Sequence, residues 1–197
     1  MKQFLTLRDL PDFDAHVALA KSIKSNPYEF EQLGKRKTLG LLFFNPSLRT
    51  RLSTQKAARL LGMDVMVMNF SNEAWAIEYE DNTIMEGLRS EHVKEAAQVV
   101  SQYCDVVGIR AFATLTEKEK DESEQVLLKF IEYASVPILN MESATAHPLQ
   151  ALADALTLSE LKLPKKPKVV LTWAPHPRAL PHAVGNSFTR MMQRRDA

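Results

Sequence analysis

Short apolar runs alternate along the chain with segments of helical period, and this order predicts an α/β fold built on a parallel sheet. The predicted strands are almost continuously hydrophobic, as strands buried on both faces must be. They are Thr38 to Phe44, Val65 to Phe70, Asp105 to Arg110, Val136 to Met141 and Lys168 to Trp173. Helices are predicted at about Phe13 to Ser25, Thr50 to Leu61, Glu91 to Tyr103, Ser123 to Ala134 and Pro148 to Leu163.

These elements divide the chain into three parts. Residues 1–147 are expected to form a four-stranded parallel sheet with helices on both faces, and residues 148–163 an interdomain helix that begins at a proline. The segment LPKKPK, Leu163 to Lys168, is typical of a linker. Residues 164–197 are expected to be the truncated start of an incomplete second α/β domain. They are too few to bury a core, so they are either a fragment or a segment that leans on the first domain.

Composition and charge narrow the class of protein. Of 197 residues 45% are hydrophobic, which is enough for a folded core. The net charge of +1 and the lack of a long basic run argue against nucleic-acid and membrane partners. With one cysteine, Cys104, and no signal peptide or membrane span, we expect a cytoplasmic protein. The charged run Glu117 to Glu124 predicts a solvated loop or helix start rather than a binding patch.

The strongest candidate for a functional site lies where a strand runs into a helix, at Phe44 to Arg51 (FNPSLRTR). Ligands of open α/β sheets bind outside the carboxyl ends of the strands, and a helix N-terminus offers N–H groups and a partial positive charge to an anion. Ser47 and Thr50 add hydroxyls, and Arg49 and Arg51 add planar guanidinium groups that match phosphate oxygens. A serine cap followed by solvated arginines explains the same residues without a ligand.

Two more strand ends carry polar side chains. Arg110 ends the strand DVVGIR, and the segment Glu142 to Gln150 joins VPILNM to the last predicted helix. His147 precedes that helix and Gln150 follows about one turn on, so an imidazole and an amide can face one point. Taken singly, an arginine at a strand end is more often a surface ion-pair partner, and a histidine at a helix start is more often a cap. Three such clusters at three strand ends together indicate one anion-binding crevice.

These clusters, in this order, resemble the carbamoyl-phosphate domain of the aspartate and ornithine carbamoyltransferases. The matching motifs are Ser-x-Arg-Thr-Arg at 47–51, the arginine at 110 and His-Pro-x-Gln at 147–150. Longer segments are similar to the N-acetylornithine and N-succinylornithine carbamoyltransferases: FFNPSLRTRLSTQKAA, NEAWAIEYED, NMESATAHPLQALAD and TWAPHPRALPHAV. The resemblance runs from the first residues to about Val184 and implies an α/β carbamoyltransferase of arginine biosynthesis.

The resemblance implies that one group of positions binds carbamoyl phosphate by its phosphate. In the family these positions hold the phosphate through N–H groups and side chains, and they match Ser47, Leu48, Arg49 and Thr50. Arg49 is expected to neutralise the phosphate as it leaves. Trp75 resembles a family tryptophan that reaches the carbamoyl phosphate of a neighbouring subunit, which implies a homotrimer.

A second group of positions contacts the reacting groups. Arg110 and His147 match residues that bind the carbamoyl oxygen, and Gln150 matches a residue near the carbamoyl nitrogen. Glu142 and His176 match positions that contact the N-acylornithine. The implied reaction is attack of the δ-amine on the carbamoyl carbon, with Arg110 and His147 as oxyanion stabilisers. It needs no metal or organic cofactor, and no ligand spacing in the sequence suggests one.

Departures from the family pattern leave alternatives open. The family's second domain carries a His-Cys-Leu-Pro loop that this chain lacks, because it reads GNSFTRMMQRRDA after Val184. The chain is therefore either an N-acylornithine carbamoyltransferase or a truncated, catalytically incompetent remnant that binds carbamoyl phosphate. An ornithine carbamoyltransferase is the third alternative. Ser90 stands where succinyl-type relatives have Pro and acetyl-type relatives have Glu, so the preference for N-succinyl- over N-acetylornithine rests on overall similarity.

Overall fold

The computed structural model describes residues 3–71, 73, 76–85, 89–161, 167–177 and 179–195. Its main strands are β1 (Gln3–Phe4), β2 (Thr38–Phe43), β3 (Asp64–Asn69), β6 (Val106–Arg110) and β7 (Ile138–Glu142). They form one parallel sheet in the order β1-β7-β6-β2-β3. Two short strands, β4 (Ala76–Glu78) and β5 (Arg89–His92), form a separate parallel pair.

Helices connect and cover these strands. In the described chain they are α1 (Phe13–Ser25), α2 (Leu48–Leu60), α3 (Val93–Tyr103), α4 (Lys118–Glu122), α5 (Gln125–Tyr133), α6 (Pro148–Glu160) and α7 (Ala183–Arg195). The exposed helix α4 begins inside the charged run 117–124, as the sequence predicts for a helix start. The predicted α/β class with a parallel sheet is therefore confirmed.

The sheet has five strands where the sequence predicts four. The additional strand, β1, pairs with the edge of β7 over only two residues, too short a run to produce a periodic pattern. The four predicted strands of the first domain are all present, and each boundary lies within two residues of its prediction. Helix α1 begins and ends at the predicted residues.

Hydrophobic cores cover both faces of the sheet. One face packs against α3 and α5, with Phe130 and Val93 at the centre of the cluster. The other packs Leu41 and Phe43 of β2 against Ala58 of α2. Because both of its faces are covered, five of the six residues of β2 are buried, which explains its continuous hydrophobic sequence.

The strand order creates a switch point between β2 and β6. From β2 the chain passes through α2 to β3 on one side, and it later returns to β6 on the other side of β2. Connections on either side of such a point diverge and leave a crevice outside the carboxyl ends of the strands. The segment after β2 and Arg110 at the end of β6 both lie at this crevice.

The predicted strand Lys168 to Trp173 is wrong. Residues 167–177 have irregular backbone, with Val170 71% and Trp173 58% exposed. A strand needs a neighbour to accept its backbone hydrogen bonds, and no strand of the described chain pairs with this segment. Of the predicted linker, residues 163–166 lie outside the described residues.

Helix α7 packs against the first part of the chain, as expected of a segment that leans on the first domain. Its Met191 is fully buried in a cluster with Phe13 of α1 and Ala155 of α6. The guanidinium of Arg194 donates to the backbone carbonyls of Leu7 and Leu10, and its Cζ lies 5.7 Å from the centre of the Phe13 ring. The sequence predicts at most a short helix here, whereas α7 spans 13 residues.

The single cysteine is a core residue. Cys104 is buried against β2, where a Cβ at Gly40 would lie 2.7 Å from its Sγ, and burial raises the pKa of its thiol. Among the described residues, no helix is long and apolar enough to cross a membrane.

The docking of α7 can be tested by truncating its buried methionine. We expect M191A to lower the free energy of unfolding by about 2–5 kcal/mol, because it leaves a cavity between α7, α6 and α1. The matched control is M85A, since Met85 is 44% exposed and its truncation should change stability by less than about 0.5 kcal/mol. Equal effects of the two substitutions in urea denaturation would contradict the docking.

Candidate functional site

The N-terminus of α2 follows shortly after the carboxyl end of β2 and therefore lies at the crevice. Ser47 caps this helix, because its Oγ accepts the N–H of Thr50 at 3.3 Å and donates to Thr50 Oγ1 at 2.9 Å. The N–H groups of Leu48 and Arg49 precede the first intrahelical bond. The first turn of α2 contains no acidic side chain. Together with the helix dipole, these groups make a positive end that suits an anion.

The two arginines of this turn have different roles. Arg49 is exposed beside the helix start. Arg51 instead donates from Nη2 to Asn69 Oδ1 at 2.5 Å, with its Cζ 5.5 Å from the centre of the Phe43 ring. Residues two apart on a helix point in different directions. Arg51 therefore ties α2 to β3, and Arg49 is the arginine of this turn that lies exposed at the helix start. Phosphate binding by either arginine stays a prediction.

Arg110 joins the carboxyl ends of three strands. Its Nε and Nη2 donate to Glu142 Oε2 at the end of β7, at 3.2 and 2.9 Å. Its Nη1 donates to the carbonyl oxygens of Asn45 and Pro46 after β2, both at 3.3 Å. These bonds engage four of the five N–H donors of a guanidinium and leave one on Nη2 for a ligand. The surface ion-pair alternative fails, because Arg110 is only 7% exposed.

Arg110 and Glu142 therefore form a buried ion pair. Both residues lie at the carboxyl edge of the sheet. Two buried charges are tolerated when each has a partner and further hydrogen bonds, and removal of either one commonly costs about 3–5 kcal/mol. The bonds from Arg110 to the Asn45 and Pro46 carbonyls are such further hydrogen bonds.

His147 lies at the start of α6, across the same edge. Its Nε2 is 3.8 Å from Glu142 Oε2, and its Nδ1 is buried without a hydrogen-bond partner in the described chain. Burial lowers the pKa of His147, and the positive charge of Arg110 acts in the same direction, while Glu142 and Asp154 oppose it. A neutral imidazole keeps one N–H donor and one acceptor nitrogen at the crevice.

Three of the predicted site residues lie apart from this cluster or outside the description. Gln150 is exposed, and its Nε2 donates to Asp154 Oδ1 at 2.8 Å. His176 lies in the exposed segment 167–177, and the hydrogen bonds of Arg110 and Glu142 do not involve it. Trp75 lies outside the described residues.

Sequence reasoning missed Ser187 and Glu124 as supports of the cluster, and it included Asn45 in the candidate segment without giving it a role. Asn45 Oδ1 accepts the N–H of Phe112 at 2.6 Å, which fastens the segment after β2 to the segment after β6. Ser187 of α7 is buried and accepts the N–H of His147 at 2.8 Å. Glu124 binds the loop between β7 and α6. No local pattern marks them, because each acts on a distant part of the chain.

A cavity of about 350 Å³ opens beside the loop that precedes His147. Thr145 lines it from the loop, Lys118 and Asp121 from α4, and His182 and Asn186 from the C-terminal segment. Cavities of this size hold small ligands, and both charge signs are available here.

A parallel sheet with a helix N-terminus and a buried arginine at its switch point defines an α/β domain of the class that binds phosphate-bearing ligands. The family model for the aspartate/ornithine carbamoyltransferase, carbamoyl-P binding domain, matches residues 2–160. The chain belongs to this family.

Individual relatives narrow the comparison. The chain is 47% identical over 196 residues to an N-succinylornithine carbamoyltransferase of Bacteroides thetaiotaomicron, covering 100% of this chain and 62% of the relative. It is 41% identical to an N-acetylornithine carbamoyltransferase of Xanthomonas campestris pv. campestris, covering 95% of this chain and 56% of the relative. The chain thus spans about three fifths of the length of these relatives.

Solved structures agree with the fold. A crystal structure of acetylornithine transcarbamylase complexed with acetylcitrulline superposes with a TM-score of 0.90 at 40% identity, covering 98% of this chain and 59% of the other. A Glu-to-Ser variant of N-acetyl-L-ornithine transcarbamylase, complexed with carbamyl phosphate and N-succinyl-L-norvaline, gives a TM-score of 0.89 at 40% identity, with the same coverage of both chains.

The environment of His147 predicts its titration. We expect its ring resonance in NMR to titrate with a midpoint below the ordinary 6.5, because burial disfavours the charged imidazolium. The unfolded chain binds this proton near pH 6.5 and the folded chain only at lower pH. The contribution of His147 to the free energy of unfolding therefore falls as the pH drops below about 6.5. The H147Q variant identifies the resonance by its loss, and a midpoint at or above 6.5 would contradict the buried placement.

Proposed function

We propose that this chain acts in carbamoyl transfer from carbamoyl phosphate to the δ-amine of an N-acylornithine. The observation that carries the proposal is the joining of three strand ends by buried Arg110 at the N-terminus of α2. Membership of the carbamoyltransferase family supplies the chemical class of the ligand. The full activity, its substrates and its partners belong to the proposal, because the chain spans 62% of its N-succinylornithine carbamoyltransferase relative.

The phosphate is assigned to the start of α2. The N–H groups of Leu48 and Arg49 and the hydroxyls of Ser47 and Thr50 are donors of the kind that phosphate oxygens accept. The Ser47 to Thr50 hydroxyl contact of 2.9 Å brings these two donors together. Exposed Arg49 adds a guanidinium that neutralises the phosphate as it leaves.

The carbamoyl group is assigned to Arg110, His147 and Gln150. As the δ-amine attacks, a C–N bond forms and the bond from carbon to the bridging phosphate oxygen breaks. The proton of the amine passes to the departing phosphate. Negative charge builds on the carbamoyl oxygen, where the remaining Nη2–H of Arg110 and an imidazole N–H of His147 stabilise it. Gln150 is placed near the carbamoyl nitrogen, which requires its amide to turn away from Asp154.

The acceptor is assigned to Glu142 and His176, which match acceptor-contacting positions of the family. An N-succinyl substituent is favoured over N-acetyl, because identity is 47% to the N-succinylornithine relative and 41% to the N-acetylornithine relative. Ser90, at the site where the two types differ, is compatible with this choice because it adds no negative charge beside a succinyl carboxylate. Arginine biosynthesis is the pathway that this acceptor implies.

The assembly is part of the proposal. We assign residues 1–147 to a carbamoyl-phosphate-binding domain, 148–163 to an interdomain helix and 164–197 to the start of the acceptor domain. Trp75 is assigned to the carbamoyl phosphate of a neighbouring subunit in a homotrimer in the cytoplasm.

Binding without turnover is the second candidate function. It would use only the phosphate donors at the start of α2, from Ser47 to Thr50. Formation of N-succinyl- or N-acetylcitrulline from carbamoyl phosphate and the matching acylornithine distinguishes the candidates. Product supports turnover, and saturable binding with no product supports the binding function.

Carbamoyl phosphate binding tests both candidates. By titration calorimetry we expect R49A to weaken binding by roughly ten- to a hundredfold, because a hydrogen bond to a charged group contributes about 1.5–3 kcal/mol. The matched control is R59A, since Arg59 is exposed at the opposite end of the same helix. An absence of binding by the folded wild-type chain, or equal affinities of the two variants, would contradict the assignment.

A further inference from the structure

The loop between β7 and α6 is held by one carboxylate from a distant segment. Glu124 Oε1 accepts hydrogen bonds from Ser143 Oγ at 2.7 Å, Thr145 N at 2.8 Å and Thr145 Oγ1 at 2.6 Å. Its Oε2 accepts the N–H of Ala144 at 3.3 Å. Bonds to a charged acceptor are about twice as strong as neutral ones. A single side chain therefore binds three consecutive residues of the loop.

The backbone of Glu124 is unfavourable for its residue type. It has φ 52° and ψ 32°, the left-handed conformation, which costs a residue with a Cβ about 1–2 kcal/mol. Glu124 immediately precedes α5, yet its side chain makes no capping hydrogen bond to that helix. The side chain of Glu124 thus binds the loop and not the helix that it precedes, while its backbone bonds to Asp121 and Leu128.

The bound loop lies between two residues of the site. Glu142, the partner of Arg110, comes directly before the triplet 143–145, and His147 follows it by two residues. We propose that Glu124 is a positioning residue, whose carboxylate fixes the loop so that Glu142 orients Arg110 and His147 faces the crevice. This inference rests on the function proposed above.

Further contacts make this anchor rigid. Ser143 Oγ also accepts from Asn140 Nδ2 at 3.0 Å, and the same amide group donates to the carbonyl of Leu5 at 3.0 Å. On the other side of the loop, Asn186 of α7 donates to the carbonyl of Thr145 at 3.2 Å. Loss of the carboxylate would leave residues 143–145 held only by these weaker neutral bonds, and would thereby allow the side chains that flank them to reorient.

Two variants together distinguish the effect of the Glu124 carboxylate from the effect of its strained backbone. E124G removes the carboxylate and at the same time relieves the left-handed conformation. E124Q keeps an oxygen acceptor at the Oε1 position, where three of the four bonds end. The control is E119Q, because Glu119 is exposed on α4 and loses the same charge. The readouts are the Kd for carbamoyl phosphate and the NMR midpoint of His147.

We expect E124G to weaken carbamoyl phosphate binding by about ten- to a hundredfold, because it would misplace the donors that Arg110 and His147 offer to the ligand. The His147 midpoint should rise towards 6.5, because a loosened loop admits water to the imidazole. E124Q should lose less than E124G, and E119Q should match the wild type in both readouts. A merely structural role would lower thermal stability without moving the His147 midpoint.

Other outcomes overturn the inference. A folded E124G chain with wild-type Kd and midpoint contradicts it directly. If E124G fails to fold, E124Q and T145V carry the test, since T145V removes only the 2.6 Å hydroxyl bond, and unchanged readouts in both contradict it. If the wild-type chain binds no carbamoyl phosphate, the proposed function fails, while the His147 midpoint still decides whether Glu124 positions the loop.

Discussion

The buried ion pair between Arg110 and Glu142 is the interaction on which the candidate site depends. Parallel strands bring their carboxyl ends to one edge, and the loops that follow β2, β6 and β7 need side-chain hydrogen bonds beyond the few backbone bonds, such as Phe44 N to Arg110 O and Ala111 N to Glu142 O, that continue the sheet. Arg110 supplies those bonds, by donating to Glu142 after β7 and to the Asn45 and Pro46 carbonyls after β2. The N-terminus of α2 is thereby fixed beside a guanidinium that keeps one donor for a ligand.

Two helices that carry no residue of the candidate site support the Arg110–Glu142 pair and the loop beside it. At the start of α5, Glu124 binds the loop before His147, and from α7 Ser187 accepts the His147 N–H. Helix α7 is itself fixed by the buried side chain of Met191 and by Arg194, which donates to the backbone carbonyls of Leu7 and Leu10. The C-terminal segment therefore contributes to the geometry of the crevice as well as to the core.

The sequence predicts the elements whose signal is local. The strands β2, β6 and β7 are predicted because burial on both faces requires continuous apolar runs, and Arg110 stands out because it ends such a run. The same pattern fails at Lys168 to Trp173, since apolar character reports burial and not the presence of a pairing strand. Glu124 is hidden in a charged run, because its left-handed backbone and its bonds to residues 143–145 are not encoded nearby.

A crystal structure of the chain with carbamoyl phosphate tests the central claim most directly. The account predicts that phosphate oxygens lie about 2.7–3.2 Å from the N–H groups of Leu48 and Arg49, and that the carbamoyl oxygen lies at the same distance from Arg110 Nη2. The pair between Arg110 and Glu142 should persist in the complex. Carbamoyl phosphate bound away from these strand ends, or bound there without contact to Arg110, would contradict the account.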